Sequence, residues 1–286
     1  MCSLVFACVL LGIGDASCAE SLIAVKSDEQ FVVDGMEQED MWSKAKPIVV
    51  HDQIAKIDIT AKALYNEQDI FILVRFPDPD ESRTHKSWVW NNSQQVYEMG
   101  TDREDIFIVK WFMEFVPQGL SLFAGKPHKA DVWYWKANRT DPMGYADDKI
   151  QCLGSVHERR ATKITASDAT ELYLVRKGDQ GDAAYNSILV VDYKSDREPR
   201  FENIPPTGSR ADVKAKGIWR DGEWTIEFKR ALNTGHADDL ALEVNKVYTL
   251  GLSRFEIAGN RVDLKYEQPL FGAGDVHQAI HLSFQR

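Results

Sequence analysis

Trp133 and Trp135 stand two residues apart in Asp131-Val132-Trp133-Tyr134-Trp135-Lys136-Ala137, so in an extended segment both indoles lie on one face. Such a pair has two uses: it closes a hydrophobic core, or it walls a pocket for a flat, apolar cofactor. Carboxylates offer two further sites. Asp78, Asp80 and Glu81 could hold a cation, although a solvated loop is the plainer expectation. Glu223 and Glu227 could act as an acid–base pair, but on a hairpin strand they are expected to face solvent. Cys152 is the one cysteine beyond residue 19, so it has no internal partner and reads as a small buried residue. The chain has no Gly-x-Ser-x-Gly, His-Glu-x-x-His, Gly-x-Gly-x-x-Gly, Walker or Cys-x-x-Cys-His motif. No catalytic site of its own is expected, and covalent c-type haem through Cys-x-x-Cys-His is excluded.

The elements that must carry these residues alternate apolar and polar side chains with the period of a strand. Lys56–Tyr65 and Ile70–Phe76 form a hairpin across Asn66–Asp69, stopped by Pro77 and Pro79. Asp212–Trp219 and Trp224–Arg230 form another, closed on Asp221-Gly222. Glu104–Met113, the tryptophan segment, Glu171–Val175, Ile188–Tyr193, Val247–Phe255 and His281–Phe284 also read as strands. Residues 114–130, which contain His128, read as a loop, and Glu39–Trp42 as a helical turn. The expected fold is all-β: an antiparallel β-sandwich with long loops and a few short helices, one domain over residues 20–286 with an insertion at about 150–210.

The chain has 286 residues and a formal net charge of −10, which leaves no excess of basic side chains for a nucleic-acid backbone. Residues 1–19 hold a short apolar run ending in Ala16-Ser17-Cys18-Ala19, a leader expected to be cleaved near Ala19 during export to the periplasm. No basic residue precedes Lys26, which departs from the usual leader. No later stretch has the length of a membrane span.

The tryptophan segment continues as Arg139-Thr140-Asp141-Pro142-Met143-Gly144-Tyr145-Ala146-Asp147-Asp148. With Phe71-Ile72-Leu73-Val74-Arg75-Phe76-Pro77-Asp78-Pro79-Asp80 and Trp219-Arg220-Asp221-Gly222-Glu223-Trp224, it resembles the haem-binding domain family of ethylbenzene dehydrogenase and dimethylsulfide dehydrogenase γ subunits. The resemblance covers roughly residues 30–150 and 208–286. It implies non-covalent haem b between two sheets, with a lysine and a methionine on the iron. It also implies partners: an iron–sulfur β subunit, a molybdopterin α subunit that does the chemistry, and a soluble cytochrome c. Lys265 occupies the late position of the family's lysine. Where the family has Met-Gly before the tryptophan strand, this chain reads Leu122-Phe123-Ala124-Gly125. Met113 is then the first substitute for the methionine, His128 the second and Met143 the third, with Trp133 and Trp135 as pocket wall. The competing expectation is a haem-free sandwich that serves as a carbohydrate-binding or assembly module.

Overall fold

Burial alternates along Glu20–Lys26, Ile48–Asp52, Lys214–Arg220 and Ile280–Phe284, whereas Ile106–Phe112 and His128–Lys136 are buried on both faces, so the sheet packs on a main core and is also covered outside its centre. The computed structural model describes residues 20–37, 39–52, 56–114, 121–255, 276 and 278–285. In chain order, β1 is Glu20–Lys26, β2 Ile48–Asp52, β3 Ile57–Tyr65 and β4 Asp69–Pro77, with α1 at Glu39–Trp42. Then come β5 (Trp88–Asn91), β6 (Val96–Met99), β7 (Ile106–Phe112) and β8 (His128–Lys136). β9 (Asp147–Gly154), β10 (Thr162–Thr165) and β11 (Glu171–Gly178) follow. β12 (Tyr185–Ser187), β13 (Arg197–Glu198) and β14 (Phe201–Asn203) are short, while β15 (Lys214–Arg220), β16 (Glu223–Ala231), β17 (Tyr248–Phe255) and β18 (Ile280–Phe284) are longer.

One sheet runs β10-β11-β9-β8-β7-β17-β18-β1-β3-β4-β16-β15, with β2 beside β3. β1 pairs in parallel with β18 and β3, and the other pairings are antiparallel. This ribbon folds over on itself, so β7, β8 and β17 face β3, β4 and β16. Phe107, Val109 and Trp111 of β7 and Trp133 and Trp135 of β8 thereby meet Phe76, Trp224, Ile226 and Phe228 in one core. Phe76 stacks on Phe107 at 5.1 Å, and Trp135 meets Trp224 edge-on at 4.9 Å. The architecture is an all-β sandwich, as the alternation dictates.

Local chemistry sets the turns. Asp221 and Gly222 both take positive φ (54° and 83°), the pair that a two-residue hairpin loop needs, so β15 and β16 keep their register. Two expectations change. Ile188–Tyr193 forms no strand and leaves Leu189, Val191 and Tyr193 exposed. Glu227 is buried rather than solvent-facing: it accepts Trp42 Nε1 at 2.9 Å and the backbone N–H groups of Asp34 and Gly35 at 3.0 Å. It thus fastens the amino-terminal segment over the outer face of β4 and β16. Glu223, by contrast, pairs with Arg75 at the edge.

Asp78 is also buried, and Asp105 lies near it. Asp105 Oδ2 accepts Ser82 N–H at 2.7 Å and Trp224 Nε1–H at 3.1 Å. Burial, then the charge of Asp78, pushes the Asp105 carboxyl up to about 7. A carboxyl raised on folding gives stability that is present below about pH 4 and lost as pH rises through about 7. Asp105→Asn keeps an acceptor oxygen and removes the charge. Its melting temperature relative to the parent chain is therefore expected to climb between pH 4 and pH 7, measured by thermal unfolding at both ends of that window.

Candidate functional site

Even-numbered residues of β7 and β8 point to the other side of the sheet from the tryptophans. Ile108 pairs with Tyr134, Lys110 with Val132 and Phe112 with Ala130, and β9 adds Gln151 beside Ala130 and Lys149 beside Val132. Ile106, Ile108, Ala130, Val132 and Tyr134 form a separate apolar cluster on this outer face, and all are buried. These residues are covered by the chain itself, so the outer face carries a second, smaller core.

His128 begins β8, not the preceding loop, and lies on this face with its ring 5.1 Å from Phe112. Its Nδ1 lies 3.1 Å from the Lys126 carbonyl oxygen, a contact that only the Nδ1–H tautomer can make as a hydrogen bond. Burial, then the positive charge of Lys110, pulls the ring down to about 4, so it is neutral at physiological pH. Nε2 is left with its lone pair and, among the described residues, no hydrogen-bond partner. A neutral imidazole oriented through Nδ1–H with a bare Nε2 is the state in which histidine ligates a metal. Gln151, fully buried two positions further along the face, also has neither amide atom partnered among the described residues. Orphaned buried polar atoms on one apolar face are costly unless a group absent from the protein chain satisfies them.

Met113 follows β7, half-buried, and donates its N–H to Lys129 O at 3.0 Å, which puts it at the same end of the sheet as His128. Met143 sits in the 3-10 turn Asp141–Met143 beyond the far end of β8, about 25 Å away along the strand from His128. Lys265 lies outside the described residues. The described chain stops at Phe255, paired with Ile106, and resumes at Val276, which packs on Phe112; these are opposite ends of β7. Trp133 and Trp135 are on the inner face and fully buried: Trp133 lies 5.1 Å under the Arg230 guanidinium, and Trp135 donates Nε1–H to Asp141 Oδ1 at 3.0 Å. Asp141 also accepts Gly217 N–H at 2.7 Å and Arg83 Nη1 at 2.7 Å, so the Asp-Pro-Met-Gly turn ties β8 to β15.

The other end of the outer face is ionic. Lys136 is buried, pairs with Asp147 and approaches the Tyr185 hydroxyl at 3.2 Å. Lys149 Nζ lies 3.1 Å from the same carboxylate, and Arg210 also bonds it. Burial opposes ionisation of Asp147, but these three cations override it and hold its carboxyl well below the usual range. Burial draws both Lys136 and Lys149 down to about 8. This network closes on itself and offers no bare ligand atom comparable to His128 Nε2.

A family model described as ethylbenzene dehydrogenase matches residues 33–265. The chain belongs to the ethylbenzene dehydrogenase family. Membership places it among subunits of oxidoreductase complexes. No curated protein matches this family member in sequence. Solved structures similar to it include a family 9 carbohydrate-binding module from Caldicellulosiruptor kristjanssonii in complex with cellotriose, at 9% identity and TM-score 0.36, over 93% of this chain and 95% of that one. Another is a putative carbohydrate-binding protein from Bacteroides uniformis, at 10% identity and TM-score 0.36, over 93% and 100% of the two chains. Among the described residues of this ethylbenzene dehydrogenase family chain, no helix is long and apolar enough to cross a membrane.

Proposed function

We propose that this protein is a haem b-binding electron-transfer subunit of a molybdopterin oxidoreductase complex, with His128 as an iron ligand. The observation that carries the reading is His128 Nε2: buried, neutral and unpartnered among the described residues beside an apolar sheet face. The residues present fit a haem, since it needs a nitrogen or sulfur ligand and a dry surface for its flat macrocycle. Ile108, Val132, Ala130 and Tyr134 would line it once the side chains that cover them move aside, and Lys126 O fixes the imidazole that would reach the iron. When bound, haem b supplies one-electron transfer; the chain itself orients the ligand and excludes water. By resemblance Lys265 is the family's lysine ligand, and Met113, at the same sheet end as His128, competes with His128 for the other position. Electrons would pass between an iron–sulfur subunit and a soluble cytochrome c, while the partner's molybdenum site acts on substrate. The apolar leader at residues 1–19 supports a periplasmic location for this exchange.

An absorption spectrum with a pyridine haemochrome assay on the protein from its export route tests the reading. About one haem b per chain is expected. His128→Ala is expected to lose most of that haem or to shift the Soret band, whereas Met143→Leu, at the far end of β8, is expected to leave both unchanged. Folded, exported protein without haem overturns the electron-carrier reading and leaves the haem-free module. Haem that is indifferent to His128→Ala but lost in Met113→Leu reassigns the ligand.

A further inference from the structure

The inner face carries a second concentration of charge at the His128 end of the sandwich, on the side away from the proposed haem surface. Asp131 of β8, Asp148 of β9 and Asp239 of the loop after β16 are all buried, and each offers a carboxylate oxygen within 4.8 Å of the other two. Among the described residues, Arg230, at the end of β16, is the one cation paired into the group: it bonds Asp131 Oδ2 and the Leu240 carbonyl, and Leu240 N–H donates to Asp131 Oδ2 at 2.9 Å. Asp131 Oδ1 and Asp148 Oδ2 have no hydrogen-bond partner among the described residues.

A fourth buried carboxylate lies close by. Asp179, just after β11, is only 6% exposed, and neither of its oxygens has a partner among the described residues. Its N–H donates to Asp148 O at 3.2 Å, and the charges that act on it most strongly are Asp238, Asp239 and Asp131. Four carboxylates against one guanidinium leave three negative charges in excess in a dry place. Such a group must take up protons or a cation. Burial and then its acidic neighbours push Asp148 well above the ordinary range, and burial and Asp238 push Asp179 up to about 8.

Donor type selects the cation. The donors are hard carboxylate oxygens without a sulfur or imidazole among them, which suits calcium or magnesium and not zinc. Magnesium keeps several waters and rarely sits in a cage made wholly of protein. A groove of roughly 660 Å³ is lined by Gln180 and Asp238, the chain neighbours of Asp179 and Asp239. We propose that Asp131, Asp148, Asp179 and Asp239 form a buried calcium site that locks the loop after β16 and the turn after β11 onto β8 and β9. The site is independent of the haem reading, because Trp133 and the sheet itself separate the two faces.

The test uses the full chain after dialysis against a chelator, with terbium and calcium as probes. Trp133 stands beside Asp148 in the β8–β9 pairing, so excitation of tryptophan is expected to sensitise terbium emission. Emission should rise to saturation, fall when calcium is added, and be far less sensitive to magnesium. Calcium should raise the melting temperature by several degrees. Asp148→Asn and, should that variant not fold, Asp179→Asn are expected to abolish both effects, while Asp182→Asn, an exposed acid bonded to Thr207, leaves them intact. No saturable emission and no calcium-dependent melting in the parent chain overturn the proposal and leave protons as the balance. Emission that survives in both Asp148→Asn and Asp179→Asn also overturns it, as binding to surface acids.

Discussion

Trp135→Ala is expected to destabilise the protein by about 3–5 kcal/mol, the range for truncating a buried aromatic side chain. Trp135 is wholly buried, and it packs edge-on against Trp224 at 4.9 Å with an interplanar angle of 70°. Gly217 is required opposite it: a Cβ there would come within 2.5 Å of Trp135 Cζ2. The indole is therefore seated in a slot cut to its outline, and its removal leaves a void that β15 and β16 cannot both collapse into. Asp141 would lose Trp135 Nε1–H but keep the Gly217 N–H and the Arg83 guanidinium, so the polar part of the loss is the smaller one. Trp135→Phe should cost less than alanine, and a double-mutant cycle with Trp224→Ala should return a coupling of about 0.5–1.5 kcal/mol for the ring pair. Urea unfolding of haem-free protein reads these differences. A cofactor-wall role would show instead as lost haem with haem-free stability unchanged, and a Trp135→Ala loss under 1 kcal/mol would sink the packing account.

What could be read in advance follows from where the determinants lie along the chain. Ile57–Phe76 and Lys214–Arg230 carry both halves of each hairpin and the turn between them, so alternation and Asp221-Gly222 chemistry suffice. Ile188–Tyr193 has the composition of a strand, but among the described residues its ladder stops at Ile188, whose N–H donates to Arg200 O at 2.8 Å, and hydrogen bonding across a sheet overrides propensity. Asp147–Gly154 looks polar because its outer face bears Asp147, Lys149 and Gln151, and Asp147 finds Lys136 and Arg210 on other segments. Glu227 reads as a surface residue until Trp42, 185 positions away, donates to it. His128 was legible as a candidate by residue type, yet its neutrality and bare Nε2 depend on Lys110 and Phe112 across the β7–β8 ladder. The four aspartates of the inner cluster come from four segments spread over residues 131–239. Only the non-local pairing of β8 with β9, and the return of the loop after β16, brings them together.

Arg230→Met is expected to be the most damaging change of a single charge, at about 3–5 kcal/mol in the presence of a chelator. Arg230 has no exposed side-chain area, and its guanidinium lies 5.1 Å from the Trp133 ring while bonding Asp131 and Leu240 O. Methionine fills much of the same volume and keeps contact with Trp133, so little of the loss comes from packing. The loss comes from the acids: Asp131, Asp148, Asp179 and Asp239 would face one another with no counter-charge bonded among them. Burial opposes the charge of Arg230, but Asp131, Asp148 and Asp239 override it and raise its pKa, which is the same coupling seen from the cation's side. Two comparisons separate the electrostatic cause from a packing one. Asp148→Asn in the Arg230→Met background should recover part of the lost stability, because it removes one of the repelling charges. Calcium, if it occupies the four-carboxylate site, should recover more in Arg230→Met than it adds to the parent chain, since the excess negative charge it meets is larger. Equal calcium shifts in the two proteins, together with no rescue by Asp148→Asn, would show that Arg230 acts as a packing element and that its charge is balanced elsewhere.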